Sequence, residues 1–227
     1  MNTQDKMFFV MRHAESLEDI DKSAYERIAD EDMPLSDKGK DQALSMGQSL
    51  IEHLGMCKHL HLILSPSKRV LETAGIMVSA MPTRIKWSLT TEHLIAKQNW
   101  GNVTIHNRSV IEKQRYLTGV LRYQFPGGEN GTEMLNRFSL FAEKLQKRAR
   151  DKSKGCTLVI THGFEFRVLL MSLLGWTEEY FESLAHPRHC ELKRLSYRNG
   201  TFSLLDEMRV IDPTANPNFI QRQSSRR

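Results

Sequence analysis

The sequence predicts an α/β protein: a three-layer α/β/α sandwich around a mostly parallel central sheet. Short apolar runs recur at "MFFVM", "LHLILS" and "CTLVIT". They lack polar alternation, as strands covered on both faces do. Helical patterns separate them, and strands that alternate with helices build a doubly covered sheet. The length, 227 residues without internal repeat or low-complexity tract, suits one domain with a sizeable core. That domain is expected over 1–212, with 213–227 as a polar basic tail.

The elements follow in order. "MFFVM" is the first strand, and it runs straight into Arg12 and His13. An acidic loop spans Leu17 to Met33. A helix is then expected over 34–55: Ser36 is its N-cap, Ala43, Met46, Leu50 and Leu54 share a face, and Gly55 terminates it. "LHLILS" is the second strand. Ser65 is read as the N-cap of the following helix and Pro66 as its first residue. "RIKWSLT" is the third strand. Residues 95–128 show no clear period and read as an irregular lid insertion. Asn130 and Glu133 form a capping box that opens a helix whose Met134, Phe138, Phe141 and Leu145 line one face. "CTLVITHG" is the fourth strand and "FRVLLMSLLGW" a largely buried helix. "ELKRLSY", Asn199-Gly200 and "TFSLLDE" signal a hairpin.

Composition excludes several classes. The net charge is +5, but Arg222, Arg226 and Arg227 lie in the terminal tail. The remaining body is nearly balanced, which argues against nucleic acid as a partner and favours a solubilising end. No apolar run reaches the length of a membrane span, and "MNTQDK" does not read as a signal peptide. The three cysteines are scattered without a CxxC pair. That usage suits a reducing cytoplasm and disfavours a disulfide frame or zinc site.

The chemistry-bearing residues gather at strand ends. The first strand ends in Arg12-His13, the second leads to Arg69 in the first turn of its helix, and the fourth ends in His162-Gly163. In a parallel sheet these ends share one edge, where α/β proteins bind ligands. For each residue alone the bland reading is an ordinary turn or a partly buried side chain. Together, two arginines, two histidines and helix N-termini suit a phosphoryl group. Arginine grips phosphate oxygens in bidentate fashion, helix N-termini attract anions, and a neutral imidazole can attack phosphorus when its other nitrogen is held.

"RHAES", "LSDKGKDQA", "SPSKRVLETA", "GGEN" and "ITHGFEFRVLL" resemble, in that order, the motifs of the histidine phosphatase superfamily, the phosphoglycerate mutase-like fold. The resemblance covers about residues 7–205. It implies hydrolysis of a small-molecule phosphomonoester through a phosphohistidine at His13. It assigns Arg12, Arg69 and His162 to the phosphoryl oxygens, and Gly163 to close backbone approach. No metal or organic cofactor is implied.

The departures carry expectations too. Ala14 replaces the usual glycine of RHGE, and Asp19 stands where asparagine commonly helps bind phosphate. "IAKQNWGN" resembles a segment reading LREQDWGN, whose glutamate is the general acid. Aligned on Trp100-Gly101 that position is Lys97, and aligned on Leu94 it is Ala96; neither is a carboxyl. General acid catalysis contributes about 10²–10⁴-fold, so a weakened phosphatase is the favoured reading. Asp19, Glu129 and Glu165 are candidate replacement acids, with Asp19, Lys97 and Glu129 read as substrate-facing. A glutamate restored at position 97 is expected to raise turnover of alkyl phosphates. A phosphoester-binding protein with little turnover is the alternative. A phosphoglycerate mutase is disfavoured because the segment ERHYG is missing, and a phosphohistidine protein phosphatase because those chains are shorter. Arg108, Lys113, Arg115 and Arg122 of the lid either meet an anionic substrate or form a solvated face.

Overall fold

A computed structural model describes residues 6–151 and 155–211, and the basic tail expected over 213–227 lies outside the described residues. Six strands form one sheet: β1 (Lys6–Arg12), β2 (His59–Leu64), β3 (Lys86–Thr91), β4 (Cys156–Thr161), β5 (Leu192–Arg198) and β6 (Thr201–Leu204), in the order β3-β2-β4-β1-β5-β6. The pairs β1–β4, β2–β4 and β2–β3 are parallel, while β1–β5 and β5–β6 are antiparallel. The hairpin turns on Asn199 and Gly200, both at positive φ (52° and 90°), the conformation that a tight two-residue hairpin requires.

The helices are α1 (Leu17–Ile20), α2 (Asp37–Leu54), α3 (Lys68–Ser79), α4 (Arg108–Thr118), α5 (Gly131–Arg150), α6 (Gly163–Leu174) and α7 (Glu178–Ser183). The continuous apolar run of β1 is explained by its two covered faces. Phe8 and Val10 join Met134, Phe138, Phe141 and Phe166 in one core, beneath α5 and α6. Phe9 and Met11 join Leu50, Leu54, Val70 and Met77 in the other, beneath α2 and α3. Complete burial of each such phenylalanine contributes ~2–3 kcal/mol. Helices α2 and α3 approach closely at Gly47, where a Cβ would stand 2.2 Å from the carbonyl oxygen of Met77. The Ser36 hydroxyl caps α2 by accepting from the Gly39 amide at 3.0 Å. Asn130 and Glu133 form the expected capping box of α5.

Two expectations are corrected. The helix after β2 begins at Lys68 with Ser67 as N-cap, so Ser65 and Pro66 precede it; the hydroxyls of Ser65 and Ser67 are instead turned to His162. The stretch 95–128 is not irregular throughout, because it contains α4. That helix buries only Ile111 and leaves Val110 and Leu117 exposed, so its apolar period is too thin to read. Gly119, at φ 114°, ends it. Trp100 stacks on Phe125 with ring centroids 4.9 Å apart, which ties the two sides of the segment together.

Candidate active site

The parallel register brings the ends of β1, β2 and β4 to one edge, with Met11 opposite Ile160 and Leu64 opposite Ile160. The backbone amide of His13 continues the ladder by donating to Thr161 O at 2.9 Å. Both imidazoles are therefore fixed by the sheet. The His13 and His162 rings lie 5.1 Å apart, edge to face, and each residue is only 3% exposed.

His13 Nδ1 is 2.7 Å from the carbonyl oxygen of Ala14. A carbonyl only accepts, so Nδ1 carries the proton and the lone pair lies on Nε2. Burial, then the charges of Arg69 and Arg12, pushes the His13 pKa well below its ordinary value. The ring is neutral at pH 7, with its lone pair on one defined nitrogen. Burial and the nearby Arg69 do the same for His162. Its Nε2 is 2.8 Å from Ser65 Oγ and 3.3 Å from Ser67 Oγ, and its Nδ1 has no partner among the described residues.

Arg12 donates from one terminal nitrogen to Pro187 O at 2.8 Å and from the other to Asp19 Oδ1 at 3.4 Å. Asp19 is thus turned toward its own neighbours. Its Oδ2 accepts from the Ser16 amide at 2.8 Å and the Ser16 hydroxyl at 2.6 Å, and lies 3.2 Å from His189 Nε2. Burial raises the Asp19 pKa, but the adjacent His189 imidazole and the bonds from Ser16 outweigh it and hold the carboxyl well below the usual range. It stays ionised and lies against Arg12.

Arg69 is fully buried. Its terminal nitrogens donate to Asp30 O and, at 3.1 Å, to Asp30 Oδ2; Nε lies 3.8 Å from Glu18 Oε1. Lys97 reaches the same group. Its Nζ donates to Asp30 Oδ1 and to the Tyr25 hydroxyl, and lies 3.6 Å from Glu18 Oε1. Two cations and two carboxylates thus form a compact, charge-balanced quartet. Replacing Arg69 with lysine keeps the charge but loses the planar fork that grips Asp30. Vanadate affinity, measured by inhibition or calorimetry, is expected to fall at least about tenfold, in proportion to a lost charge-assisted hydrogen bond of ~1.5–3 kcal/mol.

The remaining candidates divide. The Arg137 fork takes both oxygens of Glu129, at 2.6 and 2.9 Å, just before the start of α5. Glu165 is 2% exposed, and its Oε1 accepts from the Gln98 amide at 2.6 Å. Of the lid cations, Arg108 lies over the Tyr25 and Trp100 rings, and Arg115 lies 4.4 Å from the centroid of Phe164. Arg122 pairs with Glu178 and Lys113 is exposed.

Sequence reasoning missed His186 and His189. Both lie in the loop before β5, which enters the sheet antiparallel to β1 with Leu192 opposite Met11. Its preceding residues therefore reach the edge that carries His13, and the His189 and His13 rings are 6.0 Å apart. The only available signal was two histidines in the four-residue run "HPRH". Gly163 is explained by the same loop: a Cβ there would meet His186 Nε2 at 1.9 Å. The close approach is by a side chain of this chain.

The buried imidazoles set an acid limit on stability. Burial lowers the pKa of His13 and His162 well below normal and, reinforced by Arg12, that of His186 to about 3. The unfolded chain binds these protons near pH 6.5. With the folded pKa depressed, protons favour the unfolded state, so stability is complete above about pH 6.5 and falls below it. At pH 5.5 each imidazole that stays neutral in the fold costs on the order of 1 kcal/mol, and the three together a few kcal/mol. Urea unfolding at pH 7.5 and 5.5 measures this difference.

The architecture and the paired histidines place the molecule among α/β proteins with a histidine-lined site at the strand ends. The sequence profile of the histidine phosphatase superfamily (branch 1) matches residues 8–207, and the chain belongs to that family. It is 28% identical over 204 residues to the phosphoglycerate mutase-like protein AT74H of Arabidopsis thaliana, covering 83% of this chain and 73% of that one. It is 29% identical over 107 residues to the broad-range acid phosphatase DET1 of Saccharomyces cerevisiae, covering 45% of this chain and 32% of that one. Its fold matches the mycobacterial glucosyl-3-phosphoglycerate phosphatase Rv2419c with a TM-score of 0.68 at 16% identity, over 92% of this chain and all of the other (100%). Among the described residues no helix is long and apolar enough to cross a membrane.

Proposed function

We propose that this chain hydrolyses small-molecule phosphomonoesters through a phosphohistidine on Nε2 of His13. The observation that carries the reading is the 2.7 Å bond from His13 Nδ1 to the Ala14 carbonyl. It selects the tautomer, orients the ring and leaves one nucleophilic nitrogen, as nucleophilic catalysis by imidazole demands. Arg12 and Arg69 hold the phosphoryl oxygens and neutralise the charge that develops in the transition state. His162, neutral and with an unpartnered Nδ1, presents that nitrogen to the same group. A cytoplasmic setting accords with the three free thiols.

The test is a quenched reaction with a ³²P-labelled aryl phosphate. Label is expected on the protein, lost in acid and retained in base, as for phosphohistidine. A protein that releases phosphate without such an intermediate would refute the mechanism. One observation favours a second reading, a phosphoester-binding protein: the position of the acid in the resembling segment is held by Lys97 when aligned on Trp100-Gly101 and by Ala96 when aligned on Leu94, neither a carboxyl. A stoichiometric complex with no phosphate released from any aryl ester would support it.

A further inference from the structure

We propose that Glu18 is the proton donor and acceptor of this site, placed beside Lys97 and the Arg69 clamp. The inference rests on the phosphatase reading above and names the residue that does its acid–base chemistry.

Geometry leads to Glu18 by the state of each neighbouring carboxyl. Asp30 is spent, with Oδ2 on Arg69 and Oδ1 on Lys97 and the Tyr25 hydroxyl. Asp19 accepts two bonds from Ser16 and lies against His189 and Arg12. Glu129 is held by Arg137. Glu165 accepts from a backbone amide on the far side of Lys97 in sequence, at Gln98. Glu18 is 7% exposed, yet its contacts are two ion pairs of 3.6 and 3.8 Å, too long for hydrogen bonds. It is the buried carboxyl that lies against both Lys97 and Arg69, through ion pairs on Oε1, and accepts no hydrogen bond among the described residues.

The groups that face it come from three elements: Arg69 of α3, Lys97 of the segment after β3, and Arg12 at the end of β1, whose charge it also supports. Asp30 shares two of these cations. A phosphoryl dianion bound by Arg12 and Arg69 draws on the same positive charge. The Glu18 carboxyl therefore stands beside the charges that would hold the phosphoryl group.

The step balances. His13 Nε2 forms a bond to phosphorus as the bond from phosphorus to the leaving oxygen breaks. The departing electron pair goes to that oxygen, which takes the Glu18 proton. In the second step Glu18 removes a proton from water, whose oxygen bonds phosphorus. The P–Nε2 bond breaks, its pair returns to the imidazole, inorganic phosphate leaves, and Glu18 is again protonated. Asp30 and Lys97 are positioning residues in this scheme.

The decisive variant is Glu18→Gln, with glycerol phosphate and 4-nitrophenyl phosphate as paired substrates. We expect alkyl turnover to fall about 10²-fold or more, with formation of the aryl-derived phosphoenzyme nearly unchanged and its breakdown slowed. Vanadate affinity should hold or improve, because a negative charge beside the dianion is gone. Glu18→Asp should recover part of the alkyl activity. Equal loss on both esters, together with weakened vanadate binding, would mean that Glu18 only braces Arg69 and would overturn the proposal. So would an unchanged ratio of alkyl to aryl kcat/KM, which reads the phosphoenzyme-forming step alone. If Glu18→Gln fails to fold, the Glu18→Asp ratio decides alone. Absence of any phosphoenzyme in the wild type would sink the phosphatase reading instead, so the two failures are distinct.

Discussion

His13→Ala is expected to abolish turnover, with kcat falling by about 10⁴-fold or more, as removal of a covalent nucleophile does. The acid-labile phosphoenzyme should vanish with it. The fold should survive. The backbone amide of residue 13 still donates to Thr161 O, and the β1–β4 register does not involve the ring. The cost is a small cavity and an Ala14 carbonyl left without its donor, ~1–3 kcal/mol. One buried imidazole is also removed, so the variant should lose less stability than the wild type between pH 7.5 and 5.5. Steady-state kinetics on an aryl phosphate, phosphoenzyme trapping and urea unfolding read the three effects. Appreciable residual turnover with label still on the protein would move the nucleophile elsewhere, His162 first.

Lys97→Glu carries the second large effect, and the tertiary structure reverses its sign. The sequence alone suggests that a glutamate at 97 restores a missing acid. In the fold, Lys97 Nζ lies against Asp30 and Glu18. A glutamate there would set three carboxylates around Arg69 alone. Breaking a fully buried pair costs ~3–5 kcal/mol. The side chains of Lys97 and Asp30 keep 21% and 38% exposure, so solvent screening reduces the expected loss to ~2 kcal/mol. Alkyl phosphate turnover should fall, because Arg69 is then shared among three anions before any phosphate arrives. Lys97→Met removes the cation without adding a charge and should be less harmful. A gain in alkyl turnover by Lys97→Glu would show that residue 97 reaches the leaving oxygen and that the quartet is dispensable.

Both arguments depend on which residues meet across elements, and there the sequence and the structure divide the work. Local physics is legible in the chain. The unbroken apolar run Phe8–Met11 means two covered faces, and Phe8 and Phe9 do point into opposite cores. Ser36, Asn130 and Asn199-Gly200 declare two helix starts and a turn through capping and left-handed backbone. The parallel arrangement then gathers Arg12, His13, Arg69 and His162 by topology, because every such strand ends on the same edge. The sequence could not decide what the side chains do once they arrive. Whether Asp19 opposes a phosphate or braces Arg12 depends on Ser16 and His189. Whether Lys97 faces a substrate or a carboxylate pair depends on a 3-10 turn at Asp30–Asp32 folding back across α3. His189 reaches His13 only because β5 pairs antiparallel with β1. Period and capping act over a few residues and leave a pattern in the chain. The partner of a buried charge is chosen by contacts between residues up to 170 or more positions apart, such as His13 and His189, and that choice exists only in the packed molecule.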